Sequence, residues 1–589
     1  MKKSILFTIV LSFFSIVLES QILDGYTDKV SYRAGDSVAF YLNGKSKQGG
    51  NLPLSIVGNH SSGGISIAGF TNVILQQPTN SEPWKNGFGY AQTPIQNSTN
   101  NKWLVPGLAV LPSGYYLLDG KVPFIVKGDK INSDIVIVCP TNTINAYTVS
   151  GGKSLYNDCV TNYPNCTWTG VPATTVSFQR PQDYKQGLMD AFLEWIHNTE
   201  YKVNVISDAD MDDYSEIENA KLLIVIGHSE YWTRQARLNF DQFVDGGKNA
   251  LILSGNTMWW QVRYTPDKNK MSCYRSLTAD GDNVYNATQD PLLKTIEWAQ
   301  PTLNYSILKS IGAQWGLGAS PSHGGYGIEG SSQTKIKGSK THYACDYGGF
   351  YGHKIILPNS PIFEGVNMKK GKILYLANGE YDGSVFSNLD YRGNIIGRVP
   401  ILDTAALGFY KANLIGYDVT VGTIFENDIT RQRKNYCPLM AFQKTLHSGV
   451  IINVNSNEWC GELGMGGKPF KSATCKNSLV EPHPRLKHIT KNMIDLLLLG
   501  KDVFVDPVNE TEEEEILQIY PNPTIGLINL SIDENSITKV CVRDITGLVL
   551  MESYEKSSKL DLSSLVSGCY FIEVFHNNKT SVGKVILVN

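Results

Sequence analysis

Leu222–Ile226 is a run of five aliphatic residues with no polar break, closed by Gly227 and followed at once by His228, Ser229, Glu230, Tyr231 and Trp232. A strand with one wet face alternates apolar and polar residues. One without alternation is buried on both faces, as in a parallel sheet covered by helices. Thr233 stands where a helix N-cap is wanted, and Ala236, Phe240, Phe243 and Val244 repeat at helical spacing behind it. Strand, sharp turn and helix put His228 and Glu230 at the carboxyl end of a central strand, where open α/β sheets bind ligands. Asn249–Ser254 repeats the form, with Gly255-Asn256-Thr257-Met258-Trp259-Trp260 at its end.

The same reading extends along the chain. Ile135–Val138, Val203–Ser207, Ile373–Leu376 and Gly449–Val454 are further strands, and Asp183–His197 and His488–Leu499 are amphipathic helices. This alternation predicts an α/β central domain over residues 129–500, with a mostly parallel, amidotransferase-like sheet. Residues 21–128 carry short strands punctuated by Gly and Asn, including the hairpin Gly114–Val126, and predict a β-sandwich. Residues 501–515 form an acidic linker ending in Glu512–Glu515, and 516–589 a small all-β module. Residues 265–350, rich in Gly, Ser, Asn and Tyr, predict long loops over the sheet ends; Ser322–Gly327 is a lid candidate. The acidic run Asp208–Asp213 lacks the Gly and terminal Glu of a calcium loop and reads as an acid-rich helix start.

Met1-Lys2-Lys3 followed by the apolar Ser4–Leu18 predicts a signal peptide over 1–20. No later apolar run is long enough to span a bilayer, so no transmembrane segment is expected in the mature chain. A formal charge of -3 leaves no basic surface excess for nucleic acid. In an exported chain the ten cysteines can pair; Cys159 with Cys166 and Cys460 with Cys475 are the near neighbours, and no cluster has zinc spacing. The 30 Tyr and 10 Trp suit β packing, a sugar-stacking surface or a phenolate-rich site.

Several segments in order resemble the N,N-dimethylformamidase large (beta) subunit-like C-terminal domain family. They are Pro112-Ser-Gly-Tyr-Tyr116, Asn145-Ala-Tyr147 with Gly151–Tyr156, Gly227–Trp232, Gly255–Trp260 with Val262-Arg263, Asn378–Asp382, and Asn457-Glu-Trp459. The resemblance spans roughly residues 30–497 and implies a mononuclear ferric iron, Fe(III), held by two tyrosines and a glutamate. Carried over by motif, the metal ligands are Tyr116, Tyr147 and Glu230, with Tyr115 as the alternative to Tyr116. His228, Asn256 and Glu380 are implied as neighbouring catalytic residues. Two phenolates and a carboxylate are hard oxygen donors that suit a trivalent ion. The tail, with Tyr520–Thr524 and Gly568–Val574, resembles the type A C-terminal sorting domain of the Bacteroidetes type IX secretion system, implying export to the cell surface or beyond.

The leading expectation is therefore a secreted or surface-attached, iron-dependent hydrolase of amide or related C–N bonds. Its partners would be a small amide substrate, the type IX machinery, and a small subunit or a second copy of the chain. Two alternatives stand beside it: a non-catalytic glycan-binding surface protein, and a carbohydrate-active hydrolase using Glu230 and Glu380. Ser229 lacks the second glycine of a G-x-S-x-G elbow and is set aside as a nucleophile.

Overall fold

A computed structural model describes residues 21–45, 50–57, 65–160, 170–275, 281–319, 333–335, 343–345, 352–376, 380–426, 429–464, 470–471, 479–480, 484–505, 517–576 and 579–588. The signal peptide, Ser322–Gly327, Asn378, Cys166, Cys475 and most of the acidic linker lie outside the described residues. The chain divides into two compact units, Met1–Asp506 and Pro507–Asn589.

The first unit is organised by a nine-stranded sheet. In chain order its strands are β1 (Ile135–Cys139), β2 (Val203–Ser207), β3 (Leu222–Gly227), β4 (Asn249–Ser254), β5 (Gly352–Ile355), β6 (Ile373–Tyr375), β7 (Lys411–Glu426), β8 (Ile429–Gln443) and β9 (Val450–Asn453). Their spatial order is β2-β1-β3-β4-β9-β8-β7-β5-β6. From β2 to β9 the neighbours run parallel; from β9 to β6 every pairing is antiparallel. The aliphatic run of β3 is buried on both faces, and its alternate residues enter different cores. Leu222, Ile224 and Ile226 pack with helix α2 (Gly187–His197) and the C-terminal helix Pro484–Leu498. Leu223 and Val225 pack with Phe240, Phe243 and Val244 of helix α3 (Arg234–Asp245). Thr233 caps α3, its hydroxyl accepting from the Ala236 amide at 3.0 Å.

The expectation of a mostly parallel, amidotransferase-like α/β domain is corrected here. Strand predominates over helix, the large sheet is mixed, and several small antiparallel sheets accompany it. The βα rhythm holds up to about residue 260 but does not continue to 500. Lys411–Gln443 instead forms a long antiparallel hairpin, and β5 and β6 extend the sheet by antiparallel pairing. Antiparallel neighbours need no crossover helix, so the second half of the sheet is built from strands alone.

Before the sheet, Ser31–Tyr32, Gly50–Ile56, Ser66–Phe70, Gly114–Leu118 and Val122–Val126 form a five-stranded sheet, over a core that includes Tyr32, Phe40, Phe70, Tyr116 and Phe124. The acidic run is a short 3-10 helix, Asp208–Asp212, closed by a capping box between Ser207 and Asp210; Asp210 also pairs with Lys127 at 2.8 Å. Cys159 is disulfide-bonded. The candidate pair Cys460–Cys475 does not form: Cys460 is a free, buried thiol whose Sγ donates to the Leu253 carbonyl at 3.1 Å. Among the described residues no helix is long and apolar enough to cross a membrane. The second unit is all-β, a four-stranded and a three-stranded antiparallel sheet around Ile528, Val542, Ile572 and Val574.

His353 on β5 is 0% exposed, with Tyr381 and Trp459 each 6.3 Å away between ring centres. Burial pulls its pKa down to about 3. The unfolded chain takes up a proton there below pH 6.5 and the folded chain does not, so this histidine costs stability as pH falls from 6.5 towards 3. Between pH 7 and pH 5 the cost is about 2 kcal/mol. A His353→Gln protein should lose about that much less stability over the same interval, read from urea midpoints. Parallel losses in the two proteins would mean that His353 is not held neutral.

Candidate active site

Five chain segments converge at the carboxyl ends of β1, β3 and β4. Helix α1 (Thr141–Tyr147) follows β1 and ends on Tyr147. The segment behind it folds back, the Leu155 amide donating to the Ala146 carbonyl at 2.9 Å, and brings Tyr156 beside Tyr147 with ring centres 4.3 Å apart. His228 and Glu230 follow β3, and Asn256 follows β4. Glu380 precedes the short strand Tyr381–Gly383.

The turns are fixed by local chemistry. Gly227 has φ +70°, a left-handed conformation that a side chain resists, and a Cβ there would lie 2.9 Å from the Gln186 side-chain oxygen. Gln186 holds the two peptides that flank the His228 Cα: its Oε1 accepts from the His228 amide at 3.2 Å and its Nε2 donates to the His228 carbonyl at 3.1 Å. The Glu230 amide donates to Thr143 Oγ1 at 3.0 Å, tying the β3 turn to α1. After β4, Asn256 and Met258 also take left-handed φ values, 53° and 56°. The Asn256 and Thr257 amides donate to the two oxygens of Asp382 at 2.9 and 3.1 Å. Buried Arg180 donates to the carbonyls of Asn145, Ser150 and Lys153, fastening the loop between the two tyrosines.

Glu230 is 2% exposed and fully engaged. Its Oε2 accepts from the Tyr147 hydroxyl at 3.1 Å; its Oε1 accepts from Trp260 Nε1 at 2.9 Å and from the Tyr156 hydroxyl. His228 Nε2 lies 3.4 Å from Glu230 Oε2 and 3.0 Å from Glu380 Oε2. Burial disfavours the imidazolium, but the Glu380 and Glu230 carboxylates outweigh it and raise the His228 pKa to about 9. Burial raises the Glu230 carboxyl, with His228 opposing and Glu380 reinforcing. Burial also pushes Asp382 up to about 7 against the pull of the Thr257 and Asn256 amides. Tyr147 and Tyr156 are held well above the usual phenol range by burial and by the Glu230 carboxylate beside them. Asn256 Nδ2 is 3.3 Å from His228 Nε2, while its buried Oδ1 has no hydrogen-bond partner among the described residues. Turned about the amide axis, Asn256 would present its oxygen to Nε2 and accept from a protonated imidazole.

Five of the six residues expected at the site, Tyr147, His228, Glu230, Asn256 and Glu380, are thus brought together. Tyr116 is not. Its hydroxyl donates to the Pro112 carbonyl at 2.7 Å, and its ring stacks on Phe124 in the N-terminal core. Neighbouring strand residues face opposite ways, so Tyr115 points towards the sheet, where its hydroxyl donates to Gln182 Oε1 at 3.2 Å rather than to Glu230. The second phenol at Glu230 belongs to Tyr156, which ends the Gly151–Tyr156 segment. Sequence reading also missed Trp260, Asp382, Gln186 and Tyr184, whose ring stacks on Tyr147 at 5.0 Å. Trp260 and Asp382 sit inside the Gly255–Trp260 and Asn378–Asp382 motifs; Gln186 and Tyr184 have no sequence signal that marks them.

Gly255 lets two loops meet. A Cβ there would lie 2.2 Å from the Glu380 carbonyl oxygen and 2.7 Å from the Asn457 amide nitrogen, both backbone atoms. Gly255→Ala should destabilise the protein by about 1–3 kcal/mol, the usual cost of overpacking. Gly107→Ala, whose Cβ meets nothing within 4 Å, should be silent. Equal denaturant midpoints for the two variants would contradict this packing.

Among curated proteins there is no significant match. Among solved structures, one similar region comes from PorZ, described as an essential bacterial surface component of the type-IX secretion system of Porphyromonas gingivalis. It is 16% identical, spans 14% of this chain and 13% of that one, and has a TM-score of 0.12, too low to carry an argument. Residues 518–588 match the secretion system C-terminal sorting domain, so the chain is exported through the type IX system to the cell surface or beyond. Residues 98–475, which hold every residue of the cluster around Glu230, match the C-terminal model of the N,N-dimethylformamidase beta subunit-like family, and the chain belongs to that family.

Proposed function

We propose that the exported protein is a ferric-iron-dependent hydrolase of small amides or related C–N bonds. The observation that carries this reading is the convergence of two phenols, Tyr147 and Tyr156, on the two oxygens of one buried carboxylate, Glu230. That donor set is all oxygen, carries three potential negative charges and contains no thiol, which fits a hard trivalent cation. Tyr147, Tyr156 and Glu230 would hold the ion. When bound, it would polarise a carbonyl oxygen and activate water.

The surrounding side chains supply the rest. His228 keeps a proton at Nε2 between Glu230 and Glu380 and can deliver it to a leaving amine nitrogen. Glu380 has a side chain 12% exposed against 2% for Glu230, so it is the carboxylate placed to take a proton from water. Asn256 orients the imidazole. Tyr184, stacked on Tyr147, and Trp260, bonded to Glu230, are both part-buried and border the cluster.

Full-length protein should carry one iron per chain and be coloured, because ferric phenolates absorb visible light by charge transfer. Tyr147→Phe and Tyr156→Phe should each shift or bleach that band, and Tyr116→Phe should leave it intact. His228→Gln should keep the iron while amide hydrolysis falls roughly a hundredfold or more. Colourless protein with iron bound, or bleaching by Tyr116→Phe, would contradict the proposal.

A further inference from the structure

Arg275 lies behind the site, with its guanidinium carbon 3.8 Å from the ring centre of Tyr156, 4.9 Å from that of Trp260 and 5.9 Å from that of Tyr231. Its Nη2 donates to the Tyr231 hydroxyl. Among the described residues no carboxylate lies within ion-pair distance of it. A largely buried guanidinium ordinarily pairs with an acid, because an uncompensated buried charge is costly. Here the charge faces aromatic rings, whose π clouds attract it. Two of those rings matter to the site: Tyr156 and Trp260 both donate to Glu230 Oε1. Tyr147, on the other carboxylate oxygen, is stacked with Tyr156 and Tyr184 and, among the described residues, has no lysine or arginine over its ring. The two phenols are therefore electrostatically unlike.

Resting on the metal reading above, we infer that Arg275 is a positioning residue that weakens the electron donation of Tyr156, and not of Tyr147, to a ferric ion held by Tyr147, Tyr156 and Glu230. A positive charge against the ring stabilises the filled orbitals of a phenolate, and at this separation in a low-dielectric site the effect is strong. Charge transfer from Tyr156 then requires more energy than charge transfer from Tyr147.

The test is the visible spectrum of iron-loaded full-length protein, with iron content measured on every sample. Arg275→Met removes the charge and keeps much of the packing; Arg275→Gln removes the charge and keeps a donor for the Tyr231 hydroxyl. Either should move the band to the red with iron content unchanged, and Arg275→Lys should restore part of the original position. The red shift should persist when Tyr147→Phe is added and vanish when Tyr156→Phe is added. An unshifted band in iron-loaded Arg275→Met and Arg275→Gln, a shift that survives Tyr156→Phe, or loss of iron from a folded variant would overturn the inference while leaving the metal reading in place. Wild-type protein that takes up no iron would overturn the metal reading itself, and the inference with it.

Discussion

A carboxylate taken out of water must find its solvation in the protein, and around Glu230 that requirement organises everything else. Its two oxygens accept from Tyr147, Tyr156 and Trp260, and His228 stands beside them. These donors come from α1, from the segment after it, and from the turns after β3 and β4. Removing any one leaves a buried anion short of a partner, a deficit of about 1–3 kcal/mol or more for a charged group. The arrangement also concentrates acids: Glu230, Glu380 and Asp382 share a small region with His228 and Arg275 as the nearby cations.

The scaffold earns its precision from backbone contacts. Gln186, reaching from beside α2, holds the two peptides that flank the His228 Cα. Arg180 spends its donors on three carbonyls of the loop that carries the tyrosines. Gly255 allows the β4 turn to touch the backbone of Glu380 and Asn457. The parallel half of the sheet supplies the edge from which these turns project, and the antiparallel half, through β8 and β9, anchors the Asn455–Glu458 segment behind them: Asn455 Nδ2 donates to the Pro438 carbonyl at 2.7 Å.

What could be read from the sequence follows from how local each signal is. β3 is legible because burial on both faces removes polar residues from five consecutive positions. His228 and Glu230 are legible because they follow it immediately. The hairpin β7–β8 is not, since its strands mix Gly, Asp, Thr and Arg with apolar residues and are defined by pairing with each other. Tyr116 and Tyr156 illustrate the same limit. Both end a recognisable motif, but which phenol reaches Glu230 depends on strand parity at residue 116 and on the Leu155–Ala146 hydrogen bond, neither of which a motif encodes. Cys460 and Cys475 are close in the chain, yet the strand that carries Leu253 and the short helix Glu458–Gly461 that carries Cys460 set its fate.

The sorting tail sends the chain to the cell surface or beyond, where an ion of the kind proposed would have to be acquired and kept. The central claim is that one ion sits among Tyr147, Tyr156 and Glu230. Anomalous X-ray diffraction at the iron edge, on crystals of iron-loaded protein, tests it most directly. The account predicts a single strong peak bonded to the oxygens of those three side chains. A peak at any other set of residues, or none despite measured iron in the crystals, would contradict it.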